Sequence, residues 1–164
     1  MGGPCVHHLL FVCASVLHFS TADSLASSTE TTRELLLETG PSWSAVGGDG
    51  SELLGWSVAS AGDVNGDGYG DILAGAPGDE RGQTDEGRIF LYLGSPSGPS
   101  PEPSWWAESN QATAQLGWSV AGVGDLNGDG YDDIAAGANL YDGGQTNEGK
   151  VFVWFGSPAG LGGN

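Results

Sequence analysis

Two stretches of the chain place oxygen-bearing side chains at a spacing suited to one hard cation each. Asp63-x-Asn65-x-Asp67-Gly68-Tyr69-x-Asp71 is the first, and Asp125-x-Asn127-x-Asp129-Gly130-Tyr131-x-Asp133 is the second. Positions 1, 3, 5 and 9 offer carboxylate or amide oxygens, and spacing by two turns alternate side chains toward one ion. The glycine at position 6 allows a sharp turn, and the carbonyl of Tyr69 or Tyr131 at position 7 supplies a main-chain ligand. Without a cation, the three carboxylates of each loop would repel one another. A flexible, carbonyl-containing, all-oxygen set favours Ca²⁺ over Mg²⁺, and transition metals lack their usual His or Cys. Two Ca²⁺ sites are therefore expected. An EF-hand does not fit, because its bidentate Glu at position 12 is replaced by Ala74 and Ala136.

Other chemistry is thin. Gly55-Trp-Ser57-Val-Ala and Gly117-Trp-Ser119-Val-Ala have the outline of a nucleophile elbow with Ala for the last Gly, but the only histidines are His7, His8 and His18. Gly66-Asp-Gly-Tyr-Gly70 has the wrong spacing for a phosphate loop and no nearby Lys. Paired carboxylates of a glycosidase are conceivable, yet shared coordination of one ion explains the Asp spacing better. Asp132, the extra acid of the second loop, reads as a solvated side chain. No catalytic residue and no organic cofactor are expected.

Charge narrows the partners. The 164 residues hold 4 Lys+Arg against 21 Asp+Glu, a formal net charge of −17. Nucleic-acid binders present clustered Lys and Arg, and anionic membrane surfaces select the same, so both are excluded. Metal cations are the most economical positive partners. With 30 Gly, 8 Pro, 38% hydrophobic residues and six Trp, the chain is glycine-rich, acidic and able to form a modest core.

Residues 1–22 contain no Asp, Glu, Lys or Arg, and 9–17 form an apolar run too short to span a bilayer. With small residues at Ser20-Thr21-Ala22, the segment reads as a cleaved signal peptide, though His7 and His8 stand where a basic region is usual. Both cysteines (Cys5, Cys13) and all histidines fall inside it, so the mature chain would have neither disulfide nor histidine chemistry. Residues 23–40 read as a polar spacer. A secreted or cell-surface protein without a membrane span follows.

What must position the two loops is a repeat. Gly55-Trp-Ser-Val-Ala returns at Gly117, Asp63 at Asp125, Gly82-Gln-Thr at Gly144, Gly94-Ser-Pro at Gly156 and Pro41-Ser-Trp43 at Pro103, always 62 residues on. Residues 41–102 and 103–164 are two complete copies. Each reads as four short strands; in the first these are Pro41 to Ala45, Trp56 to Ala61, Ile72 to Ala76 and Arg88 to Leu93. The last is apolar on both faces, as for a sheet between neighbouring sheets. Four-stranded units at this period read as β-propeller blades, making the chain all-β. Trp56, Trp105, Trp118, Tyr92 and Trp154 fall in or beside strands and read as blade-to-blade packing. Only Trp106, matched by Ser44, reads as an exposed contact.

Asp-x-Asn-x-Asp-Gly-Tyr-x-Asp, preceded by Leu54-Gly-Trp-Ser-Val-Ala and followed by Ile-Leu-Ala-Gly-Ala-Pro77, resembles the FG-GAP repeat of integrin α subunits and of many bacterial secreted proteins. The resemblance covers 41–164. It implies four-stranded antiparallel blades, with calcium held in the loop between the first two strands by Asp63, Asn65, Asp67, Tyr69 and Asp71, and by Asp125, Asn127, Asp129, Tyr131 and Asp133. Leu54 and Leu116 replace the family's Phe, and Asn139 stands where the first copy has Pro77. Propellers close with about four to eight blades. Two blades imply an incomplete propeller: a fragment of a bacterial-type secreted protein, or chains that self-associate into a ring. The function implied is non-catalytic binding or adhesion with structural calcium, toward an extracellular protein or glycan. A lectin-like propeller and an accessory domain severed from an extracellular enzyme are the alternatives.

Overall fold

Branched and aromatic residues alternating with small ones build strands here, and glycine-rich acidic turns end them. The computed structural model describes residues 41–48, 50 and 52–162. The expected leader (1–22) and spacer (23–40) lie outside the described residues. Among the described residues seven strands and no helix form: β1 Ser57–Gly62, β2 Asp71–Ala76, β3 Arg88–Tyr92, β4 Trp105–Glu108, β5 Leu116–Gly124, β6 Asp133–Ala138 and β7 Lys150–Trp154. Every strand pairing is antiparallel, in two sheets ordered β1-β2-β3-β4 and β5-β6-β7. The all-β expectation and the blade architecture hold.

The sheets differ from expectation in one respect. Pro41 to Ala45 forms no strand. The fourth strand of the first sheet is instead β4, whose Glu108, Ala107, Trp106 and Trp105 face Arg88, Ile89, Phe90 and Leu91 of β3. Sheet and sequence repeat are thus offset: the second copy opens with residues whose backbone partners lie in the first. For the same reason the second sheet has three strands among the described residues rather than four, and β7 is its edge.

Side chains alternate across each strand. In the first sheet Leu73, Ile89 and Leu91 point toward the second sheet, and this leading face joins Leu116, Ile134, Ala136 and Ala138 in one buried cluster. On the opposite, trailing face, Ala74, Ala76, Phe90 and Tyr92 form a smaller cluster covered by Trp43, Ala45 and Leu54. Each fully buried Leu or Ile contributes about 1.5–3 kcal/mol, so the inter-sheet cluster dominates. Its closest backbone approach is at Gly75, where a Cβ would strike the Gly117 carbonyl. There Ser57 Oγ donates to the Gly117 carbonyl oxygen at 2.8 Å. That serine hydroxyl joins the two blades.

The expected aromatic packing between blades holds in part: Trp105 meets Trp154 edge-on at 5.6 Å, and Trp56 meets Trp118 at 4.9 Å with the two rings 53% and 41% exposed. Tyr92 packs instead on the trailing face, with Trp43 at 5.0 Å. Trp106 is 46% exposed, with the Arg88 guanidinium 4.3 Å from its ring centroid.

Candidate metal centre

Both nonapeptides lie in the turn between the first two strands of their sheet, β1–β2 and β5–β6. A turn this tight needs left-handed backbone, and Gly68 and Gly130 supply it with φ of 88° and 92°. The aspartate at position 1 organises the turn. Asp63 Oδ1 accepts the N–H of Gly66 (2.7 Å) and Asp67 (3.0 Å), and Oδ2 accepts that of Gly68 (2.8 Å). Asp125 repeats this with Gly128 (2.7 Å), Asp129 (3.1 Å) and Gly130 (2.9 Å).

Positions 3 and 5 interlock. Asn65 Nδ2 donates to Asp67 Oδ2 at 2.9 Å, Asn65 Oδ1 accepts the Asp67 N–H at 3.1 Å, and Asp67 Oδ1 accepts the Tyr69 N–H at 2.9 Å. Asn127, Asp129 and Tyr131 do the same at 2.9, 3.0 and 3.1 Å. Position 9 turns inward. Asp71 is 1% exposed and Asp133 fully buried. Asp71 accepts the N–H of Val64 (3.0 Å) and Gly94 (2.8 Å), and Asp133 those of Leu126 (2.8 Å) and Gly156 (2.9 Å). This carboxylate ties the loop to the end of the third strand.

The structure therefore links Asp67 by hydrogen bonds to both Asp63 and Asn65, and Asp129 to both Asp125 and Asn127. Asp71 and Asp133 close the base of each loop through backbone amides. Among the described residues no three carboxylates converge on a single point. The donor chemistry nevertheless suits a hard cation: every side chain at positions 1, 3, 5 and 9 ends in oxygen, with no nitrogen or sulfur ligand nearby. Burial pushes the Asp71 carboxyl above its ordinary range, opposed by the Gly94 and Val64 amides and reinforced by the charges of Asp67 and Asp63. In the second loop the Gly130 amide, with those of Gly128 and Asp129, holds the Asp125 carboxyl below the usual range.

Asp132 is not a solvated side chain. Its Oδ2 accepts the Asp63 N–H at 2.8 Å, and its own N–H donates to the Asp63 carbonyl at 3.1 Å. The Ser157 N–H reaches the Val64 carbonyl at 3.0 Å. The first loop is thus fastened to the second. The one signal for this in the repeat was the mismatch of Gly70 with Asp132, where the first copy has no carboxylate to offer.

The FG-GAP repeat family matches residues 54–92 and 116–154, which bracket both loops and their flanking strands. The chain carries two FG-GAP repeats. They are similar over 118 residues, at 39% identity, to integrin alpha-IIb of Homo sapiens, covering 68% of this chain and 11% of that protein. Integrin alpha-PS2 of Drosophila melanogaster is 35% identical over 111 residues, covering 64% of this chain and 7% of the integrin. Phosphatidylinositol-glycan-specific phospholipase D of Rattus norvegicus is 39% identical over 116 residues, covering 65% and 14%. The chain spans only a small part of the length of these relatives. Its FG-GAP repeats are of the integrin alpha type. No helix among the described residues is long and apolar enough to cross a membrane.

Proposed function

We propose that the chain is a secreted or cell-surface, non-catalytic binding module in which each FG-GAP loop holds one structural Ca²⁺. Asp63, Asn65, Asp67, the Tyr69 carbonyl and Asp71 are the ligands of one ion, and Asp125, Asn127, Asp129, the Tyr131 carbonyl and Asp133 those of the other. The observation that carries this reading is the hydrogen-bond pattern of an acidic, all-oxygen turn, repeated bond for bond 62 residues apart. A cation would relieve the charge that Asp63 and Asp67 impose on Asp71.

Calcium in this reading fixes the β1–β2 and β5–β6 turns, so that ion binding and folding are linked. Affinity belongs in the ~10⁻⁴–10⁻³ M range of extracellular modules. At 10 mM Ca²⁺ each site then adds about 1.4–2.7 kcal/mol to folding. A thermal melt tests it. Excess EDTA should lower the midpoint by at least about 5 °C relative to saturating Ca²⁺; an unchanged midpoint in folded protein overturns the structural role.

Integrin relatives favour an extracellular protein as the ligand class, and adhesion as the use. The phospholipase relative is an enzyme, but here Ser57 Oγ is engaged by Gly117 and the described residues contain no histidine. A glycan ligand is the second reading. It rests on Trp106, half exposed at the border of a cleft of about 680 Å³ that Glu52, Arg81 and Phe90 also line. A glycan array separates the two.

A further inference from the structure

Two of the proposed ligands of the second loop flank the residue that holds the first. Tyr131 and Asp133 stand at positions 7 and 9 of the second loop, with Asp132 between them. Asp132 Oδ2 accepts the Asp63 N–H at 2.8 Å, and the Asp132 N–H donates to the Asp63 carbonyl at 3.1 Å. Gly62, the residue before Asp63, has no room for a Cβ beside the same carboxylate. The Tyr131 ring lies against Gly66 of the first loop, where a Cβ would come within 2.6 Å of its Cε1.

A second connection joins the two position-9 carboxylates. Asp71 Oδ2 accepts the Val64 N–H at 3.0 Å, and the Val64 carbonyl accepts the Ser157 N–H at 3.0 Å. The adjoining Gly156 N–H donates to Asp133 Oδ1 at 2.9 Å. Gly156 is wedged where the loops cross: a Cβ there would lie 2.8 Å from the Val64 carbonyl oxygen and strike the Asp132 carbonyl. Val64 and Asp133 are fully buried and Asp71 is 1% exposed, so these bonds are shielded from competing water.

The order of one loop therefore depends on the other. Fixing Tyr131, Asp132 and Asp133 fixes the acceptor and the donor that meet Asp63, and fixing Asp63 and Val64 does the same for Asp132 and Ser157. Ordering a backbone costs about 1–2 kcal/mol per residue. An ion that orders the shared residues leaves less ordering for the next ion to do. We propose that the two loops take up their cations cooperatively, occupation of either raising the affinity of the other by the same factor, through the Asp63–Asp132 pair and the bonds from Asp71 by way of Val64, Ser157 and Gly156 to Asp133. This coupling rests on the calcium reading above and adds a sign to it. Two cations linked by charge alone would weaken each other's binding; linked through shared backbone order, they strengthen it.

Calcium titration calorimetry of the chelator-treated full chain tests this, run in about 1 M KCl to screen exposed charges. The parent curve should be steeper than two independent sites allow. Asp125→Asn/Asp129→Asn should weaken the first loop's affinity about fivefold or more, and Asp63→Asn/Asp67→Asn should weaken the second's by the same factor. Asp132→Ala, which cuts one of the two connections, should shrink that factor while both ions still bind. Amide hydrogen exchange gives a readout without heat: in Asp63→Asn/Asp67→Asn, Ca²⁺ on the second loop should slow exchange at the amides of residues 63 and 64. Circular dichroism reads the folding of each variant separately, and the parent curve decides the matter even where a variant unfolds. Two ions bound independently by the parent overturn the coupling and leave the calcium reading standing. No binding by the folded chain overturns both. An undiminished factor in folded Asp132→Ala overturns the route through Asp132.

Discussion

Asp63 and Asp132 exchange two hydrogen bonds across the gap between the blades: Asp63 N–H to Asp132 Oδ2 at 2.8 Å, and Asp132 N–H to the Asp63 carbonyl at 3.1 Å. Asp63 also accepts three backbone amides within its own loop. The residue that shapes the first loop is therefore the one through which the second blade holds it.

Asp132→Ala removes the acceptor and leaves the Asp63 amide to solvent. A partly exposed hydrogen bond to a charged group is worth about 1–2 kcal/mol, and urea denaturation should show a loss of that size. Asp132→Asn keeps an acceptor oxygen at the same reach and should lose less than half as much. Equal losses would mean that an acceptor oxygen at this reach is not enough to hold Asp63.

Arg88 is the buried cation of the first sheet. Its Nη2 lies 2.7 Å from Glu108 Oε2 and 3.7 Å from Asp79 Oδ1, and the Asp79 side chain is fully buried. Asp79 Oδ2 has no hydrogen-bond partner among the described residues. Removing Arg88 leaves that buried charge only Arg81, whose N–H lies 3.2 Å from Asp79 Oδ1 and whose Nε lies 4.0 Å from Oδ2, and breaking such buried pairs costs about 3–5 kcal/mol. Arg88→Met should therefore come close to unfolding the chain, while Lys150→Met, the exposed counterpart, should stay within about 0.5 kcal/mol of the parent. Guanidinium titrations of the pair provide the comparison.

Alkaline pH should act through Tyr92. Burial raises its hydroxyl above the ordinary value of 10.0, with the nearby charges of Glu102 and Glu52 adding to the shift. A folded-state value above the unfolded one means that the tyrosine's contribution is complete below the unfolded value and is lost as pH rises through the folded one. Absorbance at the phenolate band should show a tyrosine ionising above the ordinary value, with unfolding following its titration. In Tyr92→Phe that late step should vanish.

The repeat made most of this fold legible, because 62 residues separate Asp63 from Asp125, Gly75 from Gly137 and Trp43 from Trp105 without a gap. Three strands of each sheet were readable at those positions. Where a sheet ends was not. Pro41 to Ala45 and Trp105 to Ala107 have the same pattern, and only the backbone shows that such a segment pairs with the preceding copy's β3. The loop residues were readable by type and spacing, yet the inward turn of Asp71 and Asp133 depends on amides from Gly94 and Gly156, distant in sequence. Asp132 escaped for the same reason: its partner, Asp63, lies 69 residues away.

Isothermal titration of the chelator-treated chain with CaCl₂ is the most direct measure of whether the two loops are metal sites. Two ions per chain are predicted, with Asp63→Asn/Asp67→Asn reducing the count to one, and the same changes at Asp125 and Asp129 abolishing the remaining site. Binding that is absent in the folded chain, or that keeps its stoichiometry when both loops are altered, would contradict the assignment.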